Sequence, residues 1–420
     1  MRFSPDGTKA ISVGADRMIF VYDAKEGTVI KEFGLGAANG HTMSILSFSW
    51  SPDSTQILTA SMDRTAKLWN VESGAVVHTW TFGADIPNQQ VGTLWVDQWV
   101  VSVGLNGLLH FLDIETGAIA KTVHGHQGNI TGLAVDAAAR RAWTSDSNGL
   151  LLNVDLAGDK RHAQFGGDGH AKLCIVALER NAATGTLHSI GLDNAARTSA
   201  CEAAAPGAPV FGAASAPLGG QPTRMATANT SDATVVALAT RKLVLVRGGA
   251  AVQTLDTGDF EVTSMCFSPD DAILAVGCSD NLVRVFKHAD GQLAADGQLA
   301  GHDAAVSAIA FSPNGARLVT AGKDRFVYLW DLAARKVQND GWQFHTGAIT
   351  SVAFTPSGDK LVTGSIDQSI IVWHDLTNKN KYTQLQFAHI GGVDAICMLD
   401  ETHFVTSGAD RTIRTWEIKA

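Results

Sequence analysis

The sequence predicts an all-β fold built from repeated hairpin units, and three observations support this prediction. Residues 301–331 contain three short runs of strand length and apolar character, VSAIAF, RLVTA and FVYLWD. The SPNG segment between the first two runs suits a type I turn with proline at its second position, and a charged turn precedes the third run. The composition, with 42 glycines and 17% charged residues, is typical of a turn-rich globular protein.

The same unit recurs along the chain at a nearly constant spacing. Consecutive units lie 42 to 47 residues apart, except for one interval of 87 residues that equals two periods. We therefore predict a tenth, degenerate unit with a loose loop after Ala200, whose strands come from residues 233–246. The recurring residue is the aspartate or asparagine of the second tight turn in each unit: Asp16, Asp63, Asn106, Asn148, Asp193, Asp280, Asp324, Asp367 and Asp410.

A period of about 40 to 45 residues with a GH opening and a WD-like close is the signature of WD-repeat β-propellers, which have four strands to a blade. In such proteins a His, a Ser or Thr, the turn Asp and a Trp hydrogen-bond in series and fix the blade junction. On this resemblance we expect two complete junction networks: His41, Ser61, Asp63 and Trp69, and His345, Ser365, Asp367 and Trp373. Other blades are expected to lack a member, because Gly322 and Gly408 replace the serine and Leu112, Val154 and Phe286 replace the tryptophan.

Ten units exceed the roughly four to eight blades of a closed propeller. We expect residues 125–420 to form one complete seven-bladed ring and residues 1–124 to hold about three blades of an incomplete preceding propeller. The blades before Met1 are expected either to be missing from a truncated sequence or to come from another molecule. The last unit ends after a third strand, TIRTWEI, so its outer strand must come from Ala118 to Val123 or from residues outside the sequence.

Composition excludes several classes of function. The net charge of −9 and the lack of a Lys/Arg cluster argue against nucleic-acid binding. No apolar run approaches the roughly 18 residues of a membrane span. The cysteines are odd in number and form no CxxC pair, which indicates a reducing compartment and a cytoplasmic protein. They are Cys174, Cys201, Cys266, Cys278 and Cys397.

The residues that invite a catalytic or metal-binding interpretation have simpler explanations. Six of the 14 histidines lie at blade junctions, and His124 with His126 lacks a third ligand at metal-site spacing. Cys278 is interpreted as a small core residue rather than a nucleophile. Among the tryptophans outside the repeat position, Trp95 and Trp99 are expected in the core, while Trp80 or Trp342 could face a partner. We expect no catalysis, cofactor, metal or small-molecule substrate.

A closer resemblance rests on residues 1–135. RFSPDG, LSFSWSPDSTQILTASMDRTAKLWNVESGAVV and above all NQQVGTLW at residues 88–95 resemble the actin-interacting protein 1 family, the WD-repeat partners of cofilin. The NQQVGTLW segment is not a regular part of the repeat. It is followed, as in that family, by a blade without tryptophan, SVGLNGLLHFLD.

This resemblance implies a cytoplasmic, non-catalytic protein of the actin cytoskeleton that binds cofilin-decorated actin filaments and promotes their disassembly. The family's principal actin-contact surface lies largely in its first blades, so no contact residue is transferred to this sequence, and this chain is expected to bind filaments weakly or not at all. The alternative is a generic WD-repeat scaffold, for example in a ubiquitin ligase.

Overall fold

The computed structural model confirms the all-β fold, with β-strands along both halves of the chain and a short 3-10 helix at Ile86–Asn88. It describes residues 1–419 apart from 35, 37–38, 97–98, 124, 127, 157–162, 169, 171–172, 182–183, 201–213 and 340, and for residues 163–168, 200 and 214–216 it describes the backbone alone. Among the described residues, no helix has the length and apolar character needed to cross a membrane.

The chain divides into two compact units, Met1–Gly125 and His126–Ala420. Unit 1 contains three antiparallel four-stranded sheets, in which strands adjacent in sequence are paired. Sheet 1 comprises β1 (Arg2–Phe3), β2 (Lys9–Val13), β3 (Ile19–Asp23) and β4 (Val29–Phe33); sheet 2, β5 (Ile45–Trp50), β6 (Gln56–Ser61), β7 (Thr65–Asn70) and β8 (Val76–Thr81); and sheet 3, β9 (Gln90–Val96), β10 (Trp99–Gly104), β11 (Leu109–Leu112) and β12 (Ile119–Val123).

In unit 2 the described residues form seven antiparallel sheets, six of four strands and one of three. Sheet 4 comprises β13 (Ile130–Asp136), β14 (Arg141–Asp146), β15 (Leu150–Asp155) and β16 (Ala163–Asp168); sheet 5, β17 (Ile175–Asn181), β18 (Thr186–Gly191), β19 (Ala195–Ala200) and β20 (Ala214–Pro217); sheet 6, β21 (Pro222–Thr227), β22 (Thr234–Leu238), β23 (Lys242–Arg247) and β24 (Ala250–Asp256); and sheet 7, β25 (Val262–Phe267), β26 (Ile273–Cys278), β27 (Leu282–Ala289) and β28 (Gln292–Ala300). Sheet 8 comprises β29 (Val306–Phe311), β30 (Arg317–Gly322), β31 (Val327–Asp331) and β32 (Lys336–Val337); sheet 9, β33 (Ile349–Phe354), β34 (Leu361–Ser365), β35 (Ile370–Trp373) and β36 (Tyr382–Leu385); and sheet 10, β37 (Val393–Met398), β38 (His403–Gly408) and β39 (Ile413–Glu417).

Sheet 6 is the predicted tenth unit, and its second and third strands lie within residues 233–246 except for the last residue of β23. The predicted loose loop falls mainly on residues 201–213, which lie outside the described part of the chain. The assignment of residues 1–124 and 125–420 to separate propeller domains stays a prediction.

The seven sheets of unit 2 form a closed propeller ring. Each first strand packs against the first strand of the next sheet, and β37 of sheet 10 returns to β13 of sheet 4. At this closing seam Leu133 and Val154 pack with Leu399 and Val405, and Arg140 pairs with Asp400 at 2.8 Å. Cores of this kind lie between all neighbouring sheets, which is why strands such as β22 are buried along their whole length.

One expectation about the closure was wrong. The segment Ala118 to Val123 does not complete sheet 10, because β12 pairs with β11 as the outer strand of sheet 3. The register joins Leu109 to Val123 and His110 to Thr122. Sheet 10 therefore has three strands among the described residues.

A β-bulge recurs at the second residue of each first strand in the ring. The pairing register shifts there in all seven sheets, for example between Val306 and Ala308 and between Ile349 and Ser351. A bulged residue is freed from its partner and its side chain is re-aimed. In sheets 8 and 9 the freed side chains are Ser307 and Thr350, whose hydroxyls donate to the backbone oxygens of Ile349 and Val393 in the next sheet. The bulge thus allows hydrogen bonds between the first strands of neighbouring sheets.

Candidate functional site

Buried hydrogen-bond chains link the junction loops to the blades. In sheet 2 the Nδ1 of His41 lies 2.8 Å from Asp63 Oδ2, and its Nε2 lies 2.7 Å from Thr59 Oγ1. The indole Nε1 of Trp69 donates to the same hydroxyl at 2.8 Å. The Thr59 hydroxyl thus accepts the indole N–H, donates to the Lys67 carbonyl at 3.2 Å and contacts the imidazole, so one hydroxyl joins the histidine and the tryptophan.

Sheet 9 repeats this arrangement. His345 Nδ1 is 3.1 Å from Asp367 Oδ2, its Nε2 is 2.9 Å from Thr363 Oγ1, and the Trp373 indole donates to that hydroxyl at 3.2 Å. In both predicted networks the structure brings the histidine, aspartate and tryptophan together.

The predicted serines lie beside these chains, not in them. Ser61 accepts a hydrogen bond from the backbone N–H of Asp63 at 3.1 Å and donates to the carbonyl of Met43. Ser365 accepts from the N–H of Asp367 at 3.1 Å and donates to Ala348. The threonine lies two residues before the serine, so both side chains lie on the same face of the strand. The serine, at the strand end, caps the turn, and the threonine, further inside the blade, contacts the histidine and the tryptophan. Thr59 and Thr363 therefore take the linking position.

Two chains expected to be incomplete are complete. In sheet 8, Thr320 links His302 at 2.8 Å and Trp330 at 2.8 Å although Gly322 stands at the serine position. In sheet 10, Thr406 links His389 and Trp416 although Gly408 stands there. The signal that would have found these residues is a Thr or Ser four positions before the turn aspartate.

Sheets 4 and 5 carry shorter versions. His170 contacts Asp193 and Ser189 at 2.6 and 2.9 Å. In sheet 4, His126 contacts Thr144 and Asp146 at 2.7 and 3.1 Å. Asp146 lies two residues before Asn148, the residue predicted at the turn, and accepts the N–H of Asn148. In sheet 4 the carboxylate therefore occupies the position that a serine holds in sheets 2 and 9.

The junction aspartates are held ionised. Burial opposes the ionisation of Asp63, but hydrogen bonds from His41 and Thr65 outweigh it and keep its pKa well below the ordinary value. The same balance lowers the pKa of Asp410 to about 2, through Thr412 and His389. Each carboxylate also accepts a backbone N–H of the junction loop: Thr42 on Asp63, Asp303 on Asp324, Thr346 on Asp367 and Ile390 on Asp410.

The first strands of the ring surround a channel cavity of about 400 Å³. Its wall carries Glu179, whose pKa burial raises to about 7 against the hydrogen bond from Thr227, and Asp394, whose pKa burial and Asp410 raise to about 6. Arg224 also lines it and donates to the backbone carbonyls of Thr263 and Thr223. Cys266 and Cys397 line a second cavity that shares Glu179 with the first, and burial raises the pKa of each to about 12, so both thiols stay protonated.

The remaining candidates lie as follows. Cys278 is buried in the core between sheets 6 and 7, as predicted, and burial raises its pKa to about 11. His126 is engaged by Asp146 and Thr144, and His124 lies outside the described residues. Within the described part of the chain, no three His, Cys, Asp or Glu side chains are grouped closely enough to hold a metal ion.

The tryptophan predictions were partly wrong. Trp80 and Trp342, the candidates for a partner-facing position, are 2% and 3% exposed. Trp80 donates to the carbonyl of Ala118, and Trp342 stacks on Trp373 with ring centroids 4.6 Å apart. Trp95 packs against the core of sheets 2 and 3 as expected, whereas Trp99 is 55% exposed, because its strand position faces away from sheet 2.

Comparison with known proteins agrees with the repeat. The family model described as "WD domain, G-beta repeat" matches residues 33–70, 249–287, 296–331 and 338–374. A "66 kDa stress protein" of Physarum polycephalum is 32% identical over 420 residues, which cover 100% of this chain and 68% of that protein. "Actin-interacting protein 1" of Caenorhabditis elegans is 29% identical, and "WD repeat-containing protein 1" of Bos taurus is 28% identical, each over 100% of this chain and 68% of the relative.

This chain belongs to the actin-interacting protein 1 family. Drosophila melanogaster also has a relative with that name, 28% identical and matched over the full chain. Three of the four segments matched by the repeat model end at or beside a tryptophan of a complete chain, Trp69, Trp330 and Trp373. Sheet 10 has a complete chain outside the matched segments, and the matched segment 249–287 has Phe286 at the tryptophan position, so the match and the full hydrogen-bond chain coincide in three repeats only.

Proposed function

We propose that this chain is a non-catalytic actin-filament-binding protein that acts on cofilin-decorated filaments and promotes their disassembly. The observation that carries the proposal is family membership, since two relatives matched over the full chain are named Actin-interacting protein 1. We place its action in the cytoplasm, on the actin cytoskeleton.

The geometry of the junctions supports a binding role. Both ring nitrogens of each described junction histidine contact an aspartate and a hydroxyl, for instance His302 with Asp324 and Thr320. A histidine with both ring nitrogens engaged holds its loop against the blade and is not available as a general base. The loops are held by backbone hydrogen bonds to the junction aspartates, and a surface that is ordered before binding recognises a protein with little ordering cost.

Co-sedimentation tests the proposal. The full 420-residue chain is centrifuged with actin filaments at a series of concentrations high enough to detect weak binding, with and without cofilin. We expect the pelleted fraction to rise with filament concentration and to rise further with cofilin, and microscopy of single filaments should show faster shortening of cofilin-decorated filaments. If the chain stays in the supernatant in both series, the proposal is wrong and the scaffold alternative is favoured.

A further inference from the structure

Three large apolar side chains are exposed together at sheets 9 and 10. Ile366, in the turn between β34 and β35, is 54% exposed, while Phe387 and Ile390, in the connection between β36 and β37, are 75% and 73% exposed. These three residues are called the junction patch. The turn and the connection touch: Ala388 N donates to Gln368 O at 2.8 Å, and a Cβ on Gly392 would lie 2.9 Å from the Cα of Ile366.

The backbone holds Phe387 in an unfavourable conformation. Its φ is 56°, and it is the one apolar residue other than glycine with a positive φ in the described part of the chain. Such a conformation is rare for a bulky side chain, and where it persists at a surface it often marks a functional position. Two hydrogen bonds fix the backbone of the next residue and thereby hold Phe387 in this conformation. The N–H of Ala388 donates to the carbonyl of Gln368, and the carbonyl of Ala388 accepts from Arg414 at 2.7 Å.

Ile390 distinguishes this junction from its neighbours. At the position of Ile366, sheet 8 has Lys323 and sheet 10 has Ala409, whereas sheets 3 and 5 have Leu105 and Leu192, which are 55% and 39% exposed. At the position of Ile390, directly after the junction histidine, sheets 8 and 9 have Asp303 and Thr346. An exposed apolar residue at the Ile366 position therefore recurs in other blades, but the neighbouring junctions place polar residues where this one places Ile390.

Arg411 adds a positive charge at the rim. It is exposed in the turn after Asp410, and no ion pair is formed by its side chain with any described residue. The neighbouring carboxylate of Asp410 is already bound by His389 at 2.8 Å, by Arg414 at 3.0 Å and by the N–H of Ile390 at 3.2 Å. Asp394 lines the channel. An approaching partner therefore meets an apolar surface beside an unpaired guanidinium.

We propose that the junction patch is a docking surface for an actin subunit of the filament, which packs apolar side chains on Phe387 and Ile390 and offers a carboxylate to Arg411. Phenylalanine and arginine are both enriched at protein interfaces relative to the rest of the surface. The choice of actin as the partner rests on the proposed function, and the positive charge of Arg411 requires a carboxylate on the partner's surface.

Three variants of the full chain test the patch by co-sedimentation with cofilin-decorated filaments: Phe387→Ser, Ile390→Ser and Arg411→Glu. Each is expected to weaken binding at least fivefold, and Arg411→Lys should stay within twofold of the wild type. Val252→Ser is the matched control, because Val252 is 53% exposed on the outer strand of sheet 6, away from the patch, and should bind like the wild type. Thermal melts check that every variant is folded.

The outcomes separate the two proposals. If the wild type pellets and the patch variants pellet equally well, the patch is not the docking surface and the proposed function stands. If the wild type does not pellet at all, both proposals fail. A photo-cross-linking amino acid at position 387 gives an independent reading: an adduct with actin supports the patch, and an adduct with cofilin alone overturns it.

Discussion

A single threonine hydroxyl holds each complete junction chain together, and its loss should cost more than loss of the neighbouring serine. Thr363→Val keeps the side-chain shape but leaves His345 Nε2 and Trp373 Nε1 without a partner. An unsatisfied buried polar group costs about 1–3 kcal/mol, so we expect about 2–4 kcal/mol for the pair. Ser365→Ala is the control and should cost about 1 kcal/mol. Native-state hydrogen exchange of sheet 9 measures both, and equal costs would contradict the placement of threonine in the chain.

Glu179 should make the protein less stable as pH rises. Burial raises its pKa from 4.5 to about 7, so between these values the folded chain binds a proton that the unfolded chain has released. The free energy of unfolding therefore falls through this window. Glu179→Gln keeps the acceptor for Thr227 N–H and removes the charge, and we expect it to add about 1–3 kcal/mol at pH 8 and little at pH 4.

Urea unfolding across this pH range measures the effect of Glu179→Gln, with Glu261→Gln on the exposed surface as the matched control. Parallel pH profiles for the wild type and Glu179→Gln would contradict a carboxyl group that is protonated in the folded channel.

At the scale of elements, a loop of sheet 6 is anchored on one carboxylate of sheet 7. Asp271 accepts the backbone N–H groups of Asn229, Thr230 and Ser231 at 2.5, 2.8 and 3.1 Å, and the Thr230 hydroxyl at 2.6 Å. Asp271→Asn tolerates the left-handed backbone, φ 60°, but loses the charge and half of the acceptor capacity. We expect a loss of about 2 kcal/mol, confined to this connection.

Hydrogen exchange should report faster opening of residues 229–231 in Asp271→Asn. The neighbouring Asp270→Asn is the control, because Asp270 caps only its own turn through Ser268 and Ala272. Unchanged exchange at residues 229–231 would show that the carboxylate does not anchor the loop.

The elements that sequence could predict are those that depend on local chemistry. The turn aspartates and the hairpin strands follow from short-range rules, so the count of ten units and the degenerate sheet 6 could be predicted. Thr59 carries a sequence signal, its position four residues before the turn aspartate, whereas the role of Asp146 depends on which strand face meets the histidine of another loop and could not be predicted. The exposure of Trp99 and the burial of Trp342 depend on which sheet lies alongside, and the repeat does not encode that.

At the scale of the whole molecule, the closed ring should make the loss of packing at any seam between two sheets equally destabilising. In an open array the end repeats open more easily than the middle ones, whereas in a ring the seam between sheets 10 and 4 joins residues as distant as Leu133 and Cys397, 264 positions apart. Val405 at this seam and Val319 between sheets 8 and 9 are both fully buried. Val405→Ala and Val319→Ala should therefore each cost about 1–3 kcal/mol.

The decisive measurement is the extent of the effect. Hydrogen exchange over sheets 4 to 10 should show the slowest-exchanging amides of the whole ring accelerated to a similar degree by either Val405→Ala or Val319→Ala, because opening one seam releases both of its neighbours. Should Val405→Ala accelerate exchange in sheets 4 and 10 alone, the closing seam would behave as a pair of free ends, and the ring would be held by contacts between sequence neighbours without cooperative closure.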